Sequence, residues 1–401
     1  MDPYLTDWLN LLLRWAHVVV AIAWIGSSFY FVFLDNSLTP PADEASRSRG
    51  VSGELWAVHG GGFYHPQKYA VAPPTLPDKL HWFYWESYST WLTGFGLFTL
   101  LYLLQAGTYL IDPKVHEWSA AAAVPSALAV LALFWFAYDM LCRTLGTRPN
   151  GDRIAGFGVA MLVGITSVAV CALFAGRAAF LIVGAAMATA MSANVLIWII
   201  PGQRRVIAQM KAGTPVDPIH GQRAKQRSVH NTYFGLPVLV AMLGNHYPFL
   251  YSAPHSAAVL LLLMSAGALI RHSFVARRRA LALGRRVPWE HAILGVLLLI
   301  GTAVWLKPPS PPASSPAGSP VTLAQVQTII DQRCVMCHNA TLANKGVALH
   351  TARQVEQHAL AIYQQAVVLK QMPMNNATQL TDQERDTLRR WFEAGTATRH
   401  E

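Results

Sequence analysis

The chain has 401 residues, of which 53% are hydrophobic and only 13% charged, with a formal net charge of +10. Such a composition points to an integral membrane protein, with apolar runs near twenty residues long that meet the length needed to cross a bilayer. The excess positive charge reads as a topology signal and gives no reason to expect a nucleic-acid partner.

The expected architecture is all-α, an eight-span transmembrane helical bundle followed by a small all-helical domain. Spans are expected near 8–34, 82–106, 119–141, 154–174, 177–200, 232–250, 255–275 and 290–306. The first apolar run is long and no small-residue cleavage site follows it, so it reads as a span and not as a cleavable signal peptide. The fifth is rich in Gly and Ala, which suits close helix packing. The loops 35–81, 142–153, 201–231 and 271–289 hold nineteen Lys and Arg, whereas the opposite loops hold little beyond Lys114, Arg177 and Lys307. Positive loops stay in the cytoplasm, so both termini are expected outside, in the periplasm of a bacterial inner-membrane protein. Cys142 and Cys171 read as buried apolar residues.

Polar residues inside or beside the spans are the candidate functional groups. His17 falls near the middle of the first span, in Trp15-Ala16-His17 with Trp24-Ile25-Gly26 two turns on. It is either a histidine bonded to a neighbouring helix or a ligand to haem or substrate. In the first loop, His59-Gly60-Gly61-Gly62-Phe63-Tyr64-His65 places three glycines between two histidines, a run that allows a close backbone approach to a ligand. As an alternative it is a plain loop with exposed aromatics. The second span opens on His81-Trp82-Phe83-Tyr84-Trp85-Glu86; its aromatics suit an interfacial belt, while Glu86 enters the bilayer region as a candidate proton acceptor. His230-Asn231-Thr232-Tyr233 opens the sixth expected span and Asn245-His246-Tyr247-Pro248 closes it, at opposite faces. His272 and His291 read as interfacial and receive no role.

Residues 307–320 form a Pro/Ser/Ala linker that cannot pack a core. Beyond it, residues 321–401 carry Cys334-Val335-Met336-Cys337-His338, the C-x-x-C-H pattern of covalent c-type haem attachment. The two thiols are spaced for thioether bonds to the haem vinyls, and His338 would be the proximal iron ligand. Met372 is the expected second ligand, with Met374 its neighbouring rival; a thioether ligand raises the reduction potential. Residues 322–333 read as an amphipathic helix, and Thr381-Asp382-Gln383-Glu384 as a capping box opening a last helix through Leu388, Trp391 and Phe392. The module is expected to be a class I-like cytochrome c domain carrying one electron at a time.

Taken together, eight spans, HGGGFY, HWFYWE, HNTYFGLPVL and GNHYP ahead of a C-x-x-C-H module resemble the bacterial membrane-bound urate oxidase family, whose members are urate hydroxylases fused to a cytochrome c. The resemblance covers nearly the whole chain. It implies oxidation of urate with water to 5-hydroxyisourate, with electrons passed to cytochrome c and onward to a soluble cytochrome or terminal oxidase, and with no peroxide formed. It carries His59, His65, His81, Glu86, His230, Asn245 and His246 as candidate catalytic residues. Two positions depart from the family pattern: Tyr84 stands where a Lys is usual and Gly244 where a Ser is usual. Most of these groups gather at the inner face while the haem module lies outside. The bilayer core of about 30 Å between them calls for a substrate site nearer the outside or for a relay, such as a b-type haem on His17. Two other readings are a membrane cytochrome oxidising quinol or another small molecule, and a transporter or redox sensor carrying a cytochrome domain.

Overall fold

The computed structural model describes residues 2–307 apart from 70–72, 74, 147 and 149, and residues 321–397 apart from 341, 342, 344, 345 and 377. All but the first residue of the expected linker lies outside the described residues. The chain is mostly helical, with 72% helix and 4% strand.

Helices α1 (Pro3–Ser37), α2 (Trp85–Phe98), α3 (Ala120–Thr144), α4 (Gly151–Leu173), α5 (Gly176–Ala193), α6 (Ile200–Lys211), α7 (Pro218–Gly244), α8 (Ser256–Ala282) and α9 (Trp289–Trp305) make up the N-terminal bundle. A π-helical segment, Asn194–Ile199, joins α5 to α6, and another, Thr99–Leu103, extends α2. Five helices are long and apolar enough to cross a membrane: α1, α3, α4, the continuous α5–α6 unit and α8. The other three expected spans are also helical but differ from that pattern for separate reasons. The helix of α2 gives way to the π turn after Phe98. The α7 helix begins at Pro218, well ahead of the expected 232, and its first half is polar. At seventeen residues, α9 is short.

Local signals explain where these helices start. The Asp2 carboxylate accepts from the Tyr4 N–H and Pro3 occupies the first position of α1; Asp217 and Pro218 repeat the arrangement at α7. Small residues decide the packing at the centre. In α5, Ala178, Ala179, Ala186 and Ala190 are fully buried, and a Cβ on Gly184 would stand 3.2 Å from the Ala241 Cβ of α7. The two backbones therefore approach closely, and α5 forms the axis of the bundle. By contrast, α1 lies at its edge and packs mainly along α2.

Between α1 and α2 the chain forms two antiparallel hairpins at one end of the bundle, called here the loop end. Strand β1 (Val51–Glu54) pairs with β4 (Gln67–Tyr69), and β2 (Ala57–His59) with β3 (Gly62–Tyr64). Gly60 and Gly61 both have positive φ, +58° and +80°. A two-residue turn with both centres left-handed matches the twist of a hairpin, so these glycines are required by the backbone itself.

The C-terminal unit has its own core of Val326, Ile330, Leu349, Val355, Leu380 and Leu388. Of its helices α10 (Leu323–Arg333), α11 (Ala352–Gln357) and α12 (Asp382–Ala397), the first and last fall where helices were expected. Thr322 with Gln325 and Thr351 with Gln354 are reciprocal capping boxes, and Thr381 with Glu384 makes the same bonds at α12. A short turn, Met374–Asn376, lies against Ala106–Tyr109 of the bundle.

Candidate functional site

The hairpins do not converge with the bundle histidines into one site. His59 is exposed at the end of β2. His65 Nε2 lies 3.0 Å from Glu54 Oε2, and its ring stacks on Trp56 at 4.1 Å. These contacts hold the two hairpins together. His81 is exposed and meets Phe83 edge-on at 4.7 Å. Glu86 occupies the first turn of α2, where the helix dipole favours a carboxylate. Asn245 closes α7, donating from Nδ2 to the Met242 carbonyl at 2.6 Å, and His246 beside it is exposed. Fourteen residues of helix separate His230 from Gly244, about 21 Å at 1.5 Å per residue. Asn245 and His246 therefore stand at the opposite end of the bundle from the hairpins, as the sequence implied.

What the fold does bring together is a belt of polar side chains crossing the bundle nearer its loop end. His17 Nδ1 is 3.1 Å from both the Thr90 carbonyl and Thr93 Oγ1. Its ring packs against Gly94, where an added Cβ would come within 2.9 Å of Cε1. Ser87 bonds Ser192 at 3.2 Å, and Trp91 Nε1 donates to Thr189 Oγ1 at 3.1 Å. Further across, Asn194 Nδ2 donates to Tyr138 Oη and to Asn231 Oδ1, both at 2.8 Å. Tyr138 Oη lies 3.0 Å from His230 Nδ1. The Tyr138 oxygen has two lone pairs and can accept both from Asn194 and from an Nδ1–H of His230; in that tautomer Nε2 carries the free lone pair and the proton-accepting role.

Beneath this chain sits a buried ion pair that sequence reading missed. Asp139 Oδ1 is 2.8 Å from Arg227 Nη2 and accepts from Trp198 Nε1 at 2.8 Å, while its Oδ2 meets Arg143 Nε at 2.7 Å. Arg227 is 2% exposed and covers the rings of Tyr138 and Trp198. The usable signal was Asp139 itself, the only carboxylate in the 119–141 run. Arg227 was hidden by being counted among the loop charges. The histidines set aside as interfacial also meet: Tyr233 Oη is 2.7 Å from His272 Nδ1, and the His272 and His291 rings are 4.5 Å apart.

Two cavities border the belt. The larger, 1060 Å³, opens between α3, α4, α7 and α8; His230, Tyr233 and Cys142 line it, and Arg148, Arg153, Arg223 and Lys225 stand along it. A cleft of that size with a few convergent polar groups is the default place for a small-molecule ligand. Its cationic side chains favour an anion. The smaller, 40 Å³, lies between α1, α7 and α8.

In the C-terminal unit, Cys334 and Cys337 are both free, and His338 follows at the end of the turn. Burial, with Cys337 beside it, pushes the Cys334 thiol up to about 11. His338 Nδ1 lies 3.0 Å from the Val347 carbonyl, a bond that fixes the tautomer and leaves Nε2 as the only ring donor for a metal. Arg385, 7% exposed, donates to the carbonyls of Ala366 and Met372 and to Asn376 Oδ1. It thereby fixes the segment bearing Met372 against the preceding helix. The donor set of two thiols, an oriented imidazole and a thioether fits a c-type haem.

The two departures noted in the sequence are each explained locally. Gly244 packs on Phe180, whose Cδ2 would lie 2.8 Å from any Cβ placed there. Tyr84 precedes the first residue of α2 and its ring contacts Trp85 and Tyr88.

A family model described as Urate oxidase N-terminal matches residues 3–307, three-quarters of the chain. No curated protein and no solved structure matches it. The match ends with α9, so it takes in the whole bundle and stops before the C-terminal unit. The protein belongs to the urate oxidase N-terminal family.

Proposed function

We propose that this family member oxidises urate within a membrane and passes the electrons to a haem bound covalently by Cys334 and Cys337. The family match carries the reading of the substrate. The reaction is urate plus water giving 5-hydroxyisourate, two protons and two electrons. All eight expected spans are taken to cross the membrane, α5 and α6 counting as one, with the arginine-rich loop end inside and the C-terminal unit in the periplasm.

Urate is an anion at neutral pH, and the cationic side chains along the large cavity draw it toward the histidine on its wall. His230, held at Nδ1 by Tyr138, accepts a proton at Nε2. Asn194 and Asn231 keep that pair in register, and the Asp139–Arg227 ion pair fixes Tyr138 from below. A haem held by Cys334, Cys337 and His338 would supply a one-electron acceptor, so the two electrons of each turnover would leave in two steps. His338 and Met372 are its proposed iron ligands. The same reading places a b-type haem at His17, whose Nδ1 is bonded to α2 and whose Nε2 is left for iron.

The deciding experiment is an anaerobic optical spectrum of the purified protein before and after urate is added. Growth of the reduced c-haem α-band is expected, and a second, shifted band would report the b-type haem. Reduction by dithionite but not by urate would remove the urate reading.

A further inference from the structure

We propose that Arg271 holds a small inorganic anion, of the size of chloride, in the 40 Å³ cavity between α1, α7 and α8. Arg271 lies within α8, inside the expected 255–275 span, although it was also counted among the positive charges of the 271–289 loop. It is 3% exposed, yet among the described residues no carboxylate pairs with it. Its hydrogen bonds are long and to neutral groups: Nε to the Thr232 carbonyl at 3.3 Å and Nη2 to Ser28 Oγ at 3.5 Å. Phe29 covers the guanidinium at 4.1 Å. A buried guanidinium without a counter-charge is strongly disfavoured, so the charge calls for a partner that the described side chains do not supply.

The cavity beside it fits such a partner. Arg271, Ser28, Thr232, Asn231 and Trp24 all border it, giving a cation together with hydroxyl, amide and indole groups. Its 40 Å³ exceeds the roughly 15 Å³ needed for one water and admits a monatomic ion. A purine is far larger than this space, which excludes urate. The site is thus separate from the large cavity and does not depend on the urate reading. Its ion would tie α1, the edge helix, to the two helices it meets here, because the bordering residues come from all three.

Thermal unfolding of the full-length protein in detergent, titrated with chloride at constant ionic strength against gluconate, tests this. A ligand that binds only the folded state raises the midpoint with the logarithm of its concentration. The wild-type midpoint is expected to rise with chloride and to stay flat in gluconate, which is too large for the cavity. Arg271→Met should abolish the chloride dependence. Arg271→Lys, which keeps the charge but loses the fork, should raise the half-saturating chloride by at least about tenfold. A wild-type midpoint indifferent to chloride would mean that water alone fills the cavity and would overturn the proposal. So would an equal chloride response in the wild type and in whichever of the two variants folds.

Discussion

Arg227 and Arg271 are both buried at the loop-end half of the bundle, and they resolve the same electrostatic problem in opposite ways. Arg227 has a carboxylate partner at 2.8 Å and two aromatic rings around it. Among the described residues, Arg271 has a carbonyl, a hydroxyl and a phenyl ring but no carboxylate. The first charge is compensated within the protein and supports the Tyr138–His230 chain. The second leaves its compensation to a guest. A buried cation thus marks either a structural brace or a binding site, and the partner list separates the two.

Breaking the brace should have the largest effect. Asp139→Leu leaves Arg227 buried without its partner, and removal of one half of such a pair costs about 3–5 kcal/mol. The expected outcome is a much lower unfolding midpoint and loss of urate-driven haem reduction. The double variant Asp139→Leu with Arg227→Met removes both charges together and should recover most of the stability, because apolar replacement of a whole buried pair is often neutral. A double variant as unstable as the single would show that Asp139 acts through Arg143 or Trp198 instead.

A smaller effect is expected one step further along the chain. Tyr138→Phe deletes the hydroxyl that orients His230 and leaves Asn194 Nδ2 with Asn231 alone. Its stability cost should be about 1 kcal/mol. The rate of haem reduction by urate should fall by more than that stability change accounts for, since the imidazole loses its fixed tautomer. His230→Gln should fold and bind urate but abolish the pH dependence of the reduction rate. Stopped-flow reduction at several pH values checks both variants, and an unchanged pH profile in His230→Gln would remove His230 as the base.

The two parts of the molecule were unequally legible in the sequence. In the C-terminal unit the chemistry is local. Cys334, Cys337 and His338 sit within one turn, so spacing alone suggests the proposed haem site, and the capping box at Thr381 announces the last helix. In the bundle the chemistry is assembled from helices distant in sequence. Tyr138, Asn194 and His230 come from three segments, and of these only His230 stood out in its own window. Glycine-rich and aromatic motifs drew the eye to His59, His65 and His81, but Gly60 and Gly61 are there for a hairpin turn and Trp56 for stacking. Arg227 and Arg271 were counted among the loop charges, although the expected 255–275 span already ran through Arg271. The helices carry on through both residues, so topology counting concealed the two most informative cations.

The smallest effect lies in the C-terminal unit, where an ion pair is partly exposed and should behave unlike either arginine of the bundle. Arg333 of α10 donates to Glu384 Oε1 from Nε at 3.0 Å and from Nη2 at 2.9 Å, and to the Thr378 carbonyl at 2.7 Å. Burial alone would raise the Glu384 carboxyl, but the bonds from Thr381 and Arg333 outweigh it and hold the group below its ordinary range. A carboxyl held low in the folded state contributes stability above its unfolded value, about 4.3 for Glu. That contribution is lost as the pH falls through the lower folded value. The C-terminal unit of the full-length protein should therefore lose thermal stability below about pH 4.3 more steeply than Glu384→Gln does, with the two converging in strong acid. Solvent screening keeps the difference small near neutrality. Soret-monitored melting across that range checks it, and parallel curves for the two proteins would show that the α10–α12 contact draws its stability from the apolar core alone.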